Sequence, residues 1–226
     1  MNTYKLPQSR QYNESKFNDL PILEEYAPFD IKALQALHTT ITNSIYEHPR
    51  TLAFRFDLRF PGRSSLDLLD RDSPTSLIRI DPAVISRFID AFKARIKHNL
   101  EKRRKARISL RPCTVRYFWC RELGQDGKHH YHVLILLNGD VFPPYLGNLN
   151  DYEADSMVNR IRQAWASALG VWVENYPNLV YIPQNATYSL NKIGSEGELL
   201  RRASYMAKVE TKDYRGGSRT FSCSQS

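Results

Sequence analysis

Three residues within WCRELGQDGKHHYHVLILLNGD, residues 119–140, have the types and spacing of metal ligands. Glu122 stands eight residues before His130 and ten before His132. Two imidazoles and a carboxylate that converge can hold a divalent cation and leave positions open for substrate oxygens. Such nitrogen ligands suit Mn²⁺, Co²⁺ or Zn²⁺, and a shell completed by phosphate oxygens and water also suits Mg²⁺. The alternative is that both histidines are ordinary polar residues at the end of a strand.

A β-hairpin is predicted to bring these three residues together. The segments CTVRYFWCREL and HHYHVLILLN have the composition of strands, and GQDG between them favours a tight turn. Because side chains alternate between the two faces of a strand, His130 and His132 share one face. Glu122 then becomes the cross-strand neighbour of His130. The hairpin therefore predicts that the three candidate ligands meet on one side of a sheet.

A candidate nucleophile lies in RRASYMAKVE, residues 201–210. Tyr205 and Lys208, at positions i and i+3, are predicted to share one face of a helix over residues 196–210. A tyrosine hydroxyl is a poor nucleophile at neutral pH, so its attack on a phosphate needs a nearby ammonium or a metal. A phosphotyrosine ester would conserve the energy of the broken phosphodiester. The alternative is that Tyr205 is a packing residue and Lys208 a solvated charge.

The distribution of charge favours a polyanionic partner. The formal net charge is +8, and residues 93–111 carry nine lysines and arginines against one acid, Glu101. Such a run would neutralise phosphates and make binding steeply salt dependent. The alternative is a solvated helix end whose cations interact favourably with the helix dipole. Together with two arginines on the polar face of an earlier strand, the DNA-binding candidates are Arg55, Arg59, Lys102, Arg103, Arg104, Lys105 and Arg107.

The remaining periodicities predict an α+β fold in which helices pack on a central, antiparallel-rich sheet. Strict alternation in TLAFRFDLRF predicts a half-buried strand with Arg55, Asp57 and Arg59 on its polar face. An apolar stripe predicts a helix that starts at Asp30, and Asp81 followed by Pro82 marks the start of another. The helices are predicted over residues 30–45, 82–100, 150–169 and 196–210, and short strands over 171–173 and 179–182.

Composition places the chain among globular proteins of a reducing compartment. The hydrophobic fraction is 42% and the aromatic fraction 12%. The longest apolar runs fall short of the roughly 18 residues of a membrane span, and the polar first residues do not resemble a signal peptide. The three cysteines show no C-x-x-C spacing, which favours free thiols and a cytoplasmic location. We expect residues 1–48 to form an extension with one helix, 49–212 the main domain and 213–226 a flexible tail.

The hairpin CRELGQDGKHHYHVLILL resembles the metal-site hairpin of the rolling-circle replication initiators in the HUH endonuclease superfamily. By that resemblance Glu122, His130 and His132 are ligands of Mg²⁺ or Mn²⁺, Tyr205 is the nucleophile, and Lys208 matches the lysine that follows it. Residues 50–212 as a whole most resemble the replication-protein family of inoviruses (filamentous phages) and related integrated elements, with its Rep-like fold. One tyrosine matches here, rather than a pair.

The resemblance implies a metal-dependent, sequence-specific single-strand DNA endonuclease and strand transferase. It would form a 5′-phosphotyrosine bond and start rolling-circle replication in the cytoplasm of a bacterial host. No G-x-x-x-x-G-K-[ST] motif occurs in the sequence, so a separate, host helicase would unwind the origin DNA. The alternatives are an HUH transposase or relaxase, a non-catalytic DNA-binding repressor on the same fold, and a hydrolase that uses water and tolerates Tyr205→Phe.

Overall fold

The computed structural model describes residues 6–61, 78–124, 127–176, 178–192, 194–214 and 218–225. The α-helices in these ranges are α1 (Ile31–Glu47), α2 (Val84–Lys105), α3 (Met157–Leu169) and α4 (Gly197–Ala203). The strands are β1 (Gln11–Tyr12), β2 (Lys16–Phe17), β3 (Leu20–Pro21), β4 (Phe29–Asp30), β5 (Thr51–Arg59), β6 (Arg116–Leu123), β7 (His129–Asn138), β8 (Val180–Tyr181), β9 (Thr187–Leu190) and β10 (Phe221–Cys223).

Six of these strands form one sheet, in the order β10–β6–β7–β5–β8, with β9 also paired to β5. The β10–β6, β6–β7 and β5–β9 pairs are antiparallel. The predicted α+β class with an antiparallel-rich sheet is therefore confirmed. Within the described ranges, no helix combines the length and the apolarity that crossing a bilayer requires.

The described residues within 1–57, 111–144 and 182–226 form one compact unit. Its core lies between the β6–β7 hairpin and the helices α1 and α4. Helix α1 begins at Ile31, one residue after the predicted start, because Asp30 caps it: the Asp30 carboxylate accepts a hydrogen bond from the backbone N–H of Lys32 at 3.0 Å. The helix then turns Leu34, Leu37 and Ile41 fully inward. Burying each such side chain stabilises the fold by roughly 1.5–3 kcal/mol.

Both ends of the chain contribute to this unit. Phe17, Ile22 and Phe29, which precede α1, are buried in the same cluster as Met206. Near the other end, β10 pairs with β6 as the edge strand. The expectation of a flexible tail is therefore wrong for Phe221–Cys223, because their backbone is held by sheet hydrogen bonds. The predicted domain boundaries themselves stay a prediction.

The described residues within 58–110 and 145–181 form a second compact unit. Helices α2 and α3 pack together in it, with the rings of Phe88 and Trp165 edge to face at a centroid distance of 6.0 Å. Trp165 also donates its indole N–H to the carbonyl of Arg59 at 2.8 Å, which joins α3 to the end of β5.

Helix α2 starts two residues later than predicted. The predicted first residue, Pro82, lies in a turn, and the helix begins at Val84. The reason is that Asp81 caps this turn, since its carboxylate accepts from the backbone N–H of Ala83 at 2.8 Å. Asp81 thus marks the start of the segment but is not the residue directly before the helix.

Helix α3 is shorter than predicted because a different residue caps it. The helix begins at Met157 rather than Asn150, and the Ser156 hydroxyl accepts from the backbone N–H of Asn159 at 3.3 Å. Its end agrees with the prediction, since Gly170 takes the left-handed conformation that stops the helix.

The short elements after α3 differ in part from the prediction. The strand predicted over 171–173 is wrong, because Val173–Asn175 form a 3₁₀ turn. The strand predicted over 179–182 exists as β8. Strand β9, which pairs with β5, was not predicted. Its short TYSL sequence gives little periodicity to detect.

Candidate active site

The β6–β7 hairpin brings the candidate ligands to one face of the sheet. Glu122 pairs with His130, and Cys120 pairs with His132. Because paired residues and alternate residues share a face, all four side chains project to the same side. Potential donor atoms of Glu122, His130 and His132 lie within 4.8 Å of one another. The three side chains meet as the hairpin predicts, and their role as metal ligands stays a prediction.

A carboxylate from β5 orients His132. Oδ1 of Asp57 lies 2.6 Å from Nδ1 of His132. When Nδ1 donates this hydrogen bond, Nε2 presents its lone pair on the other side of the ring. Metal-binding histidines are commonly held in this way. Burial favours a lower pKa for His132, but its hydrogen bonds with Asp57 and Glu122 outweigh burial and raise it.

The spacing of the donor atoms fits a divalent cation. Nε2 of His132 lies 3.2 Å from Nε2 of His130 and 3.5 Å from Oε2 of Glu122. Bonds of about 2.1 Å to one ion place neighbouring ligand atoms roughly 3.0–3.4 Å apart. Two nitrogens and one oxygen suit Mn²⁺ or Zn²⁺, and Mg²⁺ when further oxygens complete the shell. The donor set does not distinguish among these ions.

The Glu122 carboxylate also binds two lysines and a threonine. Nζ of Lys212 lies 2.6 Å from Oε1, and Nζ of Lys208 lies 3.1 Å from Oε2. The Thr211 hydroxyl donates to Oε2 at 2.6 Å. Burial favours a higher pKa for Glu122, but the hydrogen bond with His132 and the charge of Lys212 outweigh burial and lower the pKa strongly. Glu122 is therefore ionised, and two ammonium groups compete with a cation for its oxygens.

Tyr205 lies directly beside the candidate ligands. Its ring and that of His132 are edge to face, with centroids 5.1 Å apart. The guanidinium carbon of Arg55 lies 5.6 Å from the centre of the Tyr205 ring. Burial, together with the negative charge of Asp57, raises the pKa of the Tyr205 hydroxyl, and Arg55 opposes this rise. The hydroxyl is therefore neutral and must lose its proton if it attacks.

Lys208 reaches the site from extended backbone rather than from a helix. The predicted helix over 196–210 ends at Ala203, and a 3₁₀ turn over Ser204–Ala207 carries Tyr205. The backbone at Lys208 has φ −56° and ψ 147°. An isolated β-bridge to Phe29 holds the chain in this conformation. The expectation that Tyr205 and Lys208 share a helical face is therefore wrong, although both lie at the site.

The predicted DNA-binding residues are divided between the two compact units. Arg55 lies at the site in the first unit. Arg59 belongs to the second unit, where its guanidinium carbon lies 4.8 Å from the centre of the Tyr181 ring. Also in the second unit, the last turn of α2 carries Lys102, Arg103, Arg104 and Lys105, and Arg107 follows it. Arg103 is half-buried and the others of this group are exposed. Their role in binding DNA stays a prediction.

Sequence reasoning did not assign Asp57, Thr211 or Lys212 to the site. Asp57 had a detectable signal, because the alternation of β5 places it on the same face as Arg55. Thr211 and Lys212 had none, since they follow the nucleophile segment in irregular backbone and reach Glu122 only through the tertiary fold. The side chain of Lys212 is 2% exposed, which is unusual for a lysine and is explained by its ion pair.

Comparisons with known proteins identify relatives over most of the chain. The family model described as the YagK/YfjJ C-terminal domain matches residues 12–224. The uncharacterized protein YfjJ of Escherichia coli (strain K12) is 35% identical over 192 residues, covering 82% of this chain and 89% of YfjJ. The uncharacterized protein YagK of the same strain is 31% identical over 185 residues, covering 79% of this chain and 85% of YagK.

Among solved structures, the N-terminal nuclease domain of non-structural protein 1 of minute virus of mice matches 84% of this chain and 78% of its own. The TM-score is 0.29 and the sequence identity 13%. A similarity of this size does not bear on the fold or the function of the chain.

Proposed function

The chain belongs to the YagK/YfjJ C-terminal domain family, and we propose that it is a metal-dependent, sequence-specific single-strand DNA endonuclease and strand transferase. One observation carries the proposal. The donor atoms of Glu122, His130 and His132 lie within 4.8 Å of one another, and the Tyr205 ring packs against His132 at a centroid distance of 5.1 Å. The proposal places the Tyr205 hydroxyl next to a phosphate that the same ion would bind.

Each side chain has a distinct part in the proposed reaction. A divalent cation, Mg²⁺ or Mn²⁺, held by Glu122, His130 and His132 would polarise the scissile phosphate. Asp57 keeps the His132 ring in the orientation that presents Nε2. Lys208, which lies 3.1 Å from Oε2 of Glu122, can turn its ammonium toward a phosphate oxygen and stabilise the charge that develops there.

The proposed step exchanges one phosphate ester for another. The Tyr205 oxygen attacks the phosphorus, and the bond from phosphorus to the 3′ oxygen breaks. The phenol proton passes, directly or through water, to the leaving oxygen, which becomes a 3′-hydroxyl. The 5′ phosphate stays on Tyr205 as a phosphotyrosine ester. Attack by a 3′-hydroxyl reverses the step and rejoins the strand, so no external source of energy is needed.

The biological setting is proposed on the sequence resemblance. The free 3′-hydroxyl would prime rolling-circle replication of an inovirus or a related element in the cytoplasm of a bacterial cell. Origin DNA in single-stranded form is the proposed substrate, and a separate host helicase would supply it. An HUH transposase or relaxase would use the same residues and differ in its DNA.

The test is whether the protein forms a covalent adduct with DNA. The purified protein is incubated with Mn²⁺ and single-stranded oligonucleotides that tile both strands of the DNA flanking its gene, and a denaturing gel separates adducts. We expect an adduct that needs the metal and is lost in Tyr205→Phe. Cleavage without an adduct, equal in Tyr205→Phe, would instead assign the attack to water. Tyr188→Phe, in the same compact unit but in β9, is the matched control.

A second candidate is a DNA-binding protein without catalysis. The observation that favours it is the occupation of both Glu122 oxygens by lysine and threonine side chains, because Lys208 and Lys212 supply two positive charges where a cation would sit. This candidate predicts specific DNA binding that is insensitive to chelators. It also predicts that no oligonucleotide yields an adduct or a cleavage product in Mn²⁺ or Mg²⁺.

A further inference from the structure

The segment before α1 forms one side of the candidate site. The backbone N–H of Leu23 donates to the Ser204 hydroxyl at 3.0 Å. The backbone N–H of Val209 donates to the Pro28 carbonyl at 2.9 Å. Phe29 forms an isolated β-bridge with Lys208. Residues 23–29 are thus attached by backbone contacts at both ends of the stretch 204–209, which carries the nucleophile and the lysine.

Within this segment, the ring of Tyr26 lies close to both Lys208 and Tyr205. Nζ of Lys208 lies 5.6 Å from the centre of the Tyr26 ring, within the range of a cation–π contact. The Tyr26 and Tyr205 ring centroids are 6.2 Å apart, at an interplanar angle of 55°. Tyr26 is 38% exposed, so the ring is open to solvent on one side while it meets the site on the other.

We propose that Tyr26 is a positioning residue, which holds the Lys208 ammonium between its own ring and the Glu122 carboxylate and makes the N-terminal segment part of the active site. The proposal rests on the proposed function in that it assigns Lys208 a part in the reaction. A lysine has a flexible stem of four carbons, and its ion pair with Glu122 restrains it in one direction only. The electron-rich face of the Tyr26 ring supplies a second restraint.

This role depends on the ring and not on the hydroxyl. A phenylalanine keeps the quadrupole of the ring, whereas a leucine fills part of the volume and offers no attraction to a cation. Tyr26→Phe and Tyr26→Leu therefore separate the cation–π contact from packing. Tyr46 is 66% exposed on α1, and Tyr46→Leu is the matched control for replacing an accessible tyrosine.

The experiment measures the single-turnover rate of adduct formation at saturating DNA and Mn²⁺, and the DNA concentration at half-maximal rate. We expect Tyr26→Leu to lower the maximal rate about fivefold to thirtyfold, which corresponds to about 1–2 kcal/mol of lost stabilisation. The half-maximal concentration should change by less than about twofold, because a positioning defect acts on the reacting state. Tyr26→Phe and Tyr46→Leu should stay within about twofold of the wild type.

Three results would overturn the proposal. The first is a Tyr26→Leu rate equal to that of the wild type. The second is an equal loss in Tyr26→Phe, which would assign the effect to the hydroxyl. The third is a change confined to the half-maximal concentration, which would place the ring in contact with DNA rather than with Lys208.

A second measurement needs no DNA and separates this proposal from the proposed function. Urea unfolding of the wild type, Tyr26→Leu, Lys208→Met and the double variant gives the coupling between the two side chains. Lys208→Met should change the unfolding equilibrium constant by some factor in the wild-type background. We expect that factor to be at least twofold smaller in the Tyr26→Leu background. Additive effects would overturn the positioning role. A missing wild-type adduct alongside clear coupling would overturn the nuclease function and leave the Tyr26–Lys208 contact standing.

Discussion

Oδ1 of Asp57 lies 2.6 Å from Nδ1 of His132, and this hydrogen bond joins β5 to the candidate ligands on β7. It fixes the orientation of the His132 ring, and it requires a proton on Nδ1 because the carboxylate accepts this hydrogen bond. The side chain of Asp57 is 15% exposed, so water competes little for the bond. Strand β5 therefore contributes the side chain that orients a candidate metal ligand, in addition to its packing residues.

Asp57→Asn should weaken metal binding about 10–100-fold, the usual cost of losing a partner that orients a metal-binding histidine. The substitution keeps the size of the side chain and removes the charge that fixes the imidazole. Titration of the protein with Mn²⁺, followed by electron paramagnetic resonance of the free ion, measures the affinity. Asp140→Asn removes a carboxylate that pairs with Arg50 and is the matched control. Equal affinities in the two variants would contradict the role of Asp57.

Lys212→Met should destabilise the metal-free protein by about 3 kcal/mol. Lys212 and Glu122 form a buried ion pair, with both side chains 2% exposed. Removing the lysine leaves the buried Glu122 carboxylate with less neighbouring positive charge. Urea unfolding without metal measures the loss. Saturating Mn²⁺ should restore more stability in the variant than it adds to the wild type, because the ion replaces the missing positive charge.

The double variant Glu122→Gln with Lys212→Met separates charge from packing. Since it removes both charges of the pair, it should be more stable than Lys212→Met alone, and Mn²⁺ should add little to its stability. If Mn²⁺ stabilises this double variant as much as the single one, Glu122 is not a ligand.

The sequence predicted the elements whose pattern is strong and local. The alternation in β5, the hairpin of β6 and β7 and the apolar stripe of α1 all depend on neighbouring residues, and each was found close to its predicted bounds. The start of α3 was predicted too early because Asn150 offers the same capping chemistry as Ser156. Which of two competent caps is used depends on tertiary contacts, which a local pattern does not contain.

The candidate site was predictable to the extent that one hairpin contains it. Glu122, His130 and His132 meet through the register of two adjacent strands. Lys212 and Tyr26 reach the same place from segments with no periodicity, and only the fold brings them there. The conformation of Lys208 was predicted wrongly for the same reason, because Phe29 pairs with it from a distant part of the chain.

The free energy of unfolding should fall as pH decreases below about 6.5, in part because of His48. His48 is 4% exposed, and its Nε2 accepts a hydrogen bond from the backbone N–H of Thr114 at 3.1 Å. Burial lowers its pKa below the ordinary value of 6.5, although the nearby Glu47 opposes this. The unfolded state therefore binds the proton first, and stability is lost from about pH 6.5 down through the lower folded-state pKa.

His48→Gln keeps an acceptor for the Thr114 N–H and does not titrate in this range. Its unfolding free energy should therefore depend less on pH between about 6.5 and 5, with a difference of at most about 1.4 kcal/mol per pH unit for one proton. Urea unfolding at several pH values measures the slopes. His98→Gln, an exposed position on α2, is the control. If the unfolding free energy of His48→Gln depends on pH as steeply as that of the wild type, protonation of His48 does not destabilise the folded protein.

The triple substitution Lys102→Gln, Arg104→Gln and Lys105→Gln should reduce the salt dependence of single-stranded DNA binding. All three side chains are exposed at the end of α2. Each cation that neutralises a phosphate contributes roughly 0.7 to the slope of log K against log salt, so the slope should fall by up to about 2. Fluorescence anisotropy at several salt concentrations measures this slope.

The control removes the same charge elsewhere, through Lys16→Gln, Lys32→Gln and Lys192→Gln, which are also exposed. Equal reductions in both triple variants would mean that net charge, and not the end of α2, determines DNA binding.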